Sequence, residues 1–271
     1  MRRQQSRYNQ IYIIAIICVV SFIIYYSTES AESFETSIQT RTLAGDGFCV
    51  LQNELYANNT LDIPCPELRR DVLNCLPEGY EFIDYVYKIK DVALSTFHRD
   101  VTSSQRIYKT THPVYTVILY KYEGDLLSLC PNSHETYPFV LSRIVTVNGT
   151  PGTTFIFDCD VLHAGCVNNC KRRELIQYKV CHRDDLSKLS TLVGTRVDKK
   201  GVCKVKYYDT VMRKLTYFFE FPINYIFYPL MIKRENANNI VGKIQSYIPI
   251  DFTIIRNSDK WICANPCQDH S

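Results

Sequence analysis

The chain has 271 residues, with 31 Lys and Arg against 28 Asp and Glu and a formal net charge of +3. That length accommodates one sizeable domain with extensions, and so small and evenly spread a charge excludes a nucleic-acid-binding surface as an expectation. The 12 cysteines imply an oxidising compartment with several disulfides, the alternative being buried thiols in a reducing one.

In chain order, a short basic head (1–10) carrying Arg2, Arg3 and Arg7 precedes an uncharged apolar run, Ile11 to Tyr26. Sixteen residues of helix span about 24 Å, slightly less than a hydrocarbon core. Basic residues on its N-terminal side place the head in the cytoplasm and the rest in the lumen or outside. We expect a single-pass transmembrane signal-anchor over 11–26; a cleaved signal peptide is the rival, and the following Ser-Thr-Glu-Ser-Ala-Glu-Ser lacks a clean small-x-small cleavage site. Residues 27–44 read as a polar, acidic linker. The sequons at Asn58 and Asn148 agree mildly with a luminal glycoprotein.

Gly45-Asp46-Gly47-Phe48 reads as a turn into a short strand, and Pro66 to Leu76 as a helix with proline in its first turn. Strands are expected over Tyr80–Ile89, Val114–Tyr122, Leu126–Cys130, Phe139–Val147, Thr153–Phe157 and Leu175–Cys181, separated by Gly, Asn and Pro turns. Short strands at such spacing indicate an all-β sandwich or barrel over 45–195. The remainder, 196–271, reads as an extension packing on that barrel, helical over Asp209–Phe219. The apolar stretch Phe218 to Ile232 contains Pro222 and Pro229, which argue against a second spanning helix.

Two stretches carry chemistry. On a strand, side chains at i and i+2 share a face, so His98-Arg99-Asp100 offers a nitrogen and an oxygen to one cavity. His163 on a facing strand would complete two imidazoles and a carboxylate, the facial ligand set of non-haem Fe(II) oxygenases. A second His-x-Asp, His182-Arg183-Asp184, lies in a charged run past the last expected strand and reads as a solvated turn. The kinase catalytic loop shares His-Arg-Asp, but Gln105 stands where that loop needs Asn, and its glycine-rich loop is absent.

From Gly45 to Val180 the chain resembles the Fe(II)- and 2-oxoglutarate-dependent dioxygenases, in particular the phytanoyl-CoA dioxygenase-like group. The resemblance lies in Asp46-Gly47-Phe48, His98-x-Asp100, Gly124-Asp125-Leu126 with Pro131-Asn132-Ser133-His134 (Asn132 in place of glycine), and His163-x-Gly165 followed by Asn168 and Arg173. It implies a mainly β fold, a double-stranded β-helix (jelly-roll, cupin-like) with flanking helices, here preceded by one N-terminal transmembrane helix. It also implies Fe(II) on His98, Asp100 and His163, with 2-oxoglutarate and dioxygen as cosubstrates. A basic residue about ten positions after the distal His would hold the far carboxylate of 2-oxoglutarate: Arg173, or Arg172 if the register slips by one, with Tyr115 assisting. A guanidinium fork suits a carboxylate.

His163-Ala164-Gly165-Cys166 is also similar to the distal-His segment of prolyl hydroxylases. The crowding of Cys159, Cys166 and Cys170 suggests a bridge bracing that loop. The resemblance implies hydroxylation coupled to decarboxylation of 2-oxoglutarate to succinate, on a small or lipid-like molecule or on a protein side chain. Related halogenases lack the carboxylate that Asp100 supplies. A non-enzymatic, disulfide-rich luminal or extracellular binding ectodomain on the same scaffold remains open, as does a cupin-type metal protein without 2-oxoglutarate.

Overall fold

Period-two alternation in the central third of the chain builds two facing β-sheets. The computed structural model describes residues 10–21, 28–34, 38–58, 63–90, 96–137, 139–140, 142–166, 173–190, 192–199, 207–222 and 261–262. Its strands are β1 (Glu29–Glu32), β2 (Phe48–Gln52), β3 (Tyr80–Lys90), β4 (Tyr115–Tyr120), β5 (Gly124–Leu129), β6 (Ile144–Gly149), β7 (Thr153–Asp158), β8 (His163–Gly165), β9 (Glu174–His182), β10 (Gly194–Lys199) and β11 (Trp261–Ile262). The large sheet has the order β11-β10-β3-β9-β4-β7-β2, and the small sheet β1-β6-β5-β8. From β4 the chain crosses to the small sheet at β5, returns at β7, crosses again at β8 and returns at β9. This crossing pattern, with antiparallel pairing of β9 to β3 and β4 and of β5 to β6 and β8, is that of a jelly roll.

The alternation sorts each strand between two cores. Ile118, Tyr120, Phe155 and Phe157 of the large sheet face Leu127, Leu129, Val145 and Val147 of the small one. Their neighbours Val117, Leu119, Ile156 and Tyr178 face the other way and pack with Leu68 and Val72 of the helix Pro66–Asn74. Pro66 opens that helix, where its missing N–H is not needed. Leu68 is fully buried there, worth about 1.5–3 kcal/mol of transfer free energy.

Several expectations need correction. The acidic segment read as a linker contributes strand β1, paired parallel with β6 from Glu29↔Ile144 to Glu32↔Val147. Its charge is met by Arg213, whose guanidinium donates to both carboxylate oxygens of Glu29. The strand expected from Phe139 begins only at Ile144, and Phe139 is exposed. The polar strand β10 was not anticipated; it pairs parallel with β3 and antiparallel with the edge strand β11. His182 is not in a turn beyond the last strand but closes β9.

At the N-terminus, residues 10–21 are helical, and Ile11, Ile13, Ile14, Ile16 and Ile17 are exposed. Among the described residues no helix is long and apolar enough to cross a membrane; residues 22–26 of the expected anchor lie outside them. The helix Tyr207–Phe218 lies close to the bounds expected for it and packs against the small sheet. Arg213 donates to the Gly165 carbonyl at 2.9 Å and to Ser128 Oγ at 2.6 Å, while the Tyr217 ring meets Phe97. Most of Phe218 to Ile232 lies outside the described residues.

Candidate metal centre

His98 and His163 form a mutual backbone bridge: His98 N–H donates to the His163 carbonyl at 2.9 Å, and His163 N–H donates back at 3.0 Å. Residues directly opposed in an antiparallel pair project to the same side. Their ring centroids are 4.4 Å apart. Asp100, two residues on, shares that face, and its N–H is fixed by the Cys159 carbonyl at 2.9 Å. Asp100 Oδ1 lies 3.9 Å from His98 Nε2 and 3.7 Å from His163 Nε2. One ligand atom from each residue falls within 4.8 Å of the other two.

The outer partners orient this set. His98 Nδ1–H donates to the Thr96 carbonyl at 2.9 Å, and His163 Nδ1–H to the Val161 carbonyl at 3.0 Å. Nε2 of each ring is thereby left unprotonated on the side of Asp100 Oδ1, the tautomer that metal-bound histidines need. Asp100 Oδ2 is committed elsewhere. It accepts from Lys179 Nζ at 2.6 Å, from Thr116 Oγ1 at 2.5 Å and weakly from Gln177 Nε2 at 3.4 Å. The carboxylate therefore presents one oxygen inward and has the other fixed.

The electrostatics agree. Burial and the neighbouring His98 push His163 down to about 3, and burial lowers His98 as well, so both rings stay neutral. Burial alone would raise Asp100. The Lys179 ammonium outweighs it and holds the carboxyl well below the usual range. Burial likewise opposes the charge on Lys179, and Asp100 more than offsets it, raising the ammonium above its ordinary value. Two neutral nitrogens and one anionic oxygen with open positions fit a divalent metal such as Fe(II).

The intervening Arg99 points to the opposite side and is 1 % exposed. It pairs with Glu220 at 2.5 Å and donates to the Ser133 and Asp160 carbonyls. Ser133 Oγ accepts from Leu162 N–H, fixing the residue before His163. The turn holding Ser133 explains the asparagine in Pro131-Asn132-Ser133-His134: Asn132 has φ +59°, a left-handed conformation that Asn tolerates better than most residues and that glycine adopts freely.

Arg173 immediately precedes β9 and is buried. Its guanidinium donates to the Leu126 carbonyl at 3.0 Å, the Tyr120 hydroxyl at 3.1 Å and, at 3.4 Å, the Cys166 carbonyl. Its Nε has no partner, and among the described residues Arg173 makes no ion pair. A buried cation without a counter-charge is costly unless an anion arrives. Leu126 precedes by three residues Leu129, which opposes His163 in register, so the guanidinium sits about 10 Å along β5 from the triad.

Tyr115 is on the other face of β4 from Thr116 and Tyr120, packing against Tyr80 with ring centroids 5.4 Å apart. The tyrosine that meets Arg173 is Tyr120; the expectation for Tyr115 had the wrong phase of the strand. Arg172 lies outside the described residues, as does Cys170. Cys159 and Cys166 are free and buried, so neither carries the bridge expected to brace the distal-His loop. They serve different sheets: Cys159 contacts Ser103, Thr116 and Lys179, whereas Cys166 lies against Ser128.

No protein-family model matches the chain, and no curated protein does. Among solved structures, EvdO2 from Micromonospora carbonacea var. aurantiaca aligns at 13 % identity over 57 % of this chain and 94 % of its own, with a TM-score of 0.39. A structure of EvdO2 complexed with 2-oxoglutarate gives 0.38. SnoN, a non-haem alpha-ketoglutarate-dependent epimerase from nogalamycin biosynthesis, aligns at 12 % identity over 63 % of this chain and 95 % of its own, with a TM-score of 0.38. EvdMO1 aligns at 13 % identity and a TM-score of 0.39 over 54 % of this chain, which spans about half (49 %) of EvdMO1. The donor geometry described above stands independently of these modest likenesses.

Proposed function

We propose that this chain is a non-haem iron, 2-oxoglutarate-dependent oxygenase, a hydroxylase of a small or lipid-like molecule or of a protein side chain. The observation that carries the reading is the orientation of His98, His163 and Asp100. Both Nδ1–H groups and the outer carboxylate oxygen are engaged, so three lone pairs converge on one point. Iron with 2-oxoglutarate and dioxygen would supply the oxidising chemistry. The protein's part is to keep two imidazoles neutral, hold Asp100 ionised through Lys179 and Thr116, and offer Arg173 to the far carboxylate of the cosubstrate. The triad is open at one side, with 15 % of the His98 and 12 % of the Asp100 side chain exposed against 4 % for His163. Substrate would approach from there.

The anchor belongs to the same proposal. An exposed apolar helix preceded in sequence by Arg2, Arg3 and Arg7 suits a membrane-bound N-terminus facing the cytoplasm, with the two sheets on the luminal or outer side. The eight cysteines among the described residues are free thiols and lend that topology no support, so it draws on the N-terminal segment and the two sequons.

A second reading, a binding domain without catalysis, draws on the Lys179–Asp100 pair, which already neutralises the carboxylate. Anaerobic Fe(II) titration, followed by succinate release from 2-oxoglutarate in wild type and His163→Ala, separates the two. Loss of succinate release in the variant, with one equivalent of bound Fe(II) fewer than wild type, supports the oxygenase. A wild-type chain that binds no Fe(II) leaves the binding domain.

A further inference from the structure

His182-Arg183-Asp184 is not an idle repeat of the His-x-Asp pattern. His182 ends β9, Asp184 lies in the first turn of the 3-10 segment Arg183–Leu189, and His112 comes from the segment that leads into β4. The two imidazoles stack with centroids 3.8 Å apart and planes 27° apart. His182 Nδ1 is 3.4 Å from Asp184 Oδ2, and one ligand atom from each of the three residues lies within 4.8 Å of the others.

The surroundings orient both rings. Asp185 is fully buried and accepts from the N–H groups of Thr111 and His112, each at 2.8 Å, and from Lys188 Nζ at 2.8 Å. Its carboxylate also takes His112 Nδ1–H at 3.2 Å. His112 is thus held by a carboxylate on Nδ1 with its lone pair on Nε2, the outer arrangement common to metal-bound histidines. Among the described residues His112 Nε2 makes no hydrogen bond. His182 is seated by Gly79, whose φ is +94° and where an added Cβ would lie 2.2 Å from His182 Nε2. That packing turns the Nδ1 edge toward Asp184 and leaves it only a long, 3.3 Å contact from the Asp184 N–H. Capping of the 3-10 turn accounts for His182 and Asp184, but not for the oriented and unused nitrogen of His112.

We propose that His112, His182 and Asp184 form a second divalent-metal site of the zinc class, separate from the His98–Asp100–His163 centre. Two imidazoles and one carboxylate, with Asp184 largely exposed, give a three-ligand set that water completes. Both centres offer two imidazoles and one carboxylate, a set that holds Zn(II) more tightly than Fe(II), so Zn(II) is the ion that reports on both. His182 lies three residues from Lys179 and on the opposite face of β9, so the sites are about 10 Å apart along the strand and share no ligand. A metal there would tie the end of β9 to the segment that enters β4, the strand carrying Thr116.

The test is Zn(II) titration of the full chain by calorimetry, with bound metal counted by mass spectrometry after dialysis. Wild type should bind two equivalents. His98→Ala/His163→Ala and His112→Ala/His182→Ala should bind one each. Asp184→Ala removes only an exposed ligand; made in the His98→Ala/His163→Ala background, it should weaken the remaining site at least about tenfold without lowering the metal-free Tm. Unchanged stoichiometry and affinity in His112→Ala/His182→Ala would overturn the site, as would parental affinity in the Asp184→Ala variant. No bound zinc in His98→Ala/His163→Ala would overturn it equally.

Discussion

Lys179→Met is the most searching test of the centre. Lys179 is fully buried, its ammonium 2.6 Å from Asp100 Oδ2 and 2.6 Å from Thr116 Oγ1. Methionine keeps most of the volume and removes the charge. Without metal, Asp100 becomes a buried carboxylate with no cation, and breaking such a pair costs about 3–5 kcal/mol. For a chain of this size that is a fall in Tm of roughly 6–20 °C. With metal bound the balance reverses. A divalent ion on Oδ1 supplies the missing charge, and the Lys179 ammonium would stand about 5 Å from it. At an effective dielectric constant of about 20, that repulsion amounts to several kcal/mol, which the variant escapes. The variant should therefore bind Mn(II), an oxygen-inert stand-in for Fe(II), more tightly than wild type, and saturating Mn(II) should restore at least half of the lost stability. The assay is thermal denaturation of both proteins with and without Mn(II), plus a direct titration. An equal loss of Tm in both conditions, with unchanged affinity, would refute the assignment of Asp100 Oδ1 as a metal ligand.

Arg173→Ala should leave metal affinity intact and weaken 2-oxoglutarate by about 2–5 kcal/mol, roughly thirtyfold or more, read as a raised KM for the cosubstrate. Asp158, pushed up to about 7 by burial and by Asp160, should give a pH signature. Because its unfolded value is near 3.9, the folded state binds the extra proton between about pH 4 and 7, and the stability this contributes is lost as pH rises through that window. Asp158→Asn should therefore gain on wild type by up to about 4 kcal/mol between pH 4 and 8 in urea midpoints, and parallel profiles would contradict it. In denaturant without reductant, Cys159 and Cys166 should both alkylate, and in the folded protein neither should.

The triad was legible because its logic is local: a two-residue spacing fixes a shared face, and one more histidine suffices. Lys179 was not, since a lysine in a strand reads as a solvent-facing residue until a carboxylate is found opposite it. Tyr115 and Tyr120 lie on the same strand in opposite phase, and a one-residue shift of phase exchanges the faces. Nothing in Val-Tyr-Thr-Val-Ile-Leu-Tyr states which face meets Arg173; only the pairing with β9 decides. The acidic strand β1 is held by pairing with β6 and by Arg213, more than a hundred residues away in sequence, which local composition does not encode. Cysteine density indicated bridges, yet Cys159 and Cys166 belong to different sheets.

The Arg99–Glu220 pair bears on how this protein can be divided. By sequence the jelly roll ends near residue 195, and a gene cut there would look like a tidy minimal unit. Such a fragment would keep every candidate metal ligand and still lose the carboxylate that neutralises the guanidinium between two of them. It would also lose Arg213, which joins β1 to the carbonyl of Gly165. The tail is thus part of the inheritance of the site: the two regions are expected to be gained, lost and transplanted together, and a shortened chain that fails to bind metal would say nothing against the triad.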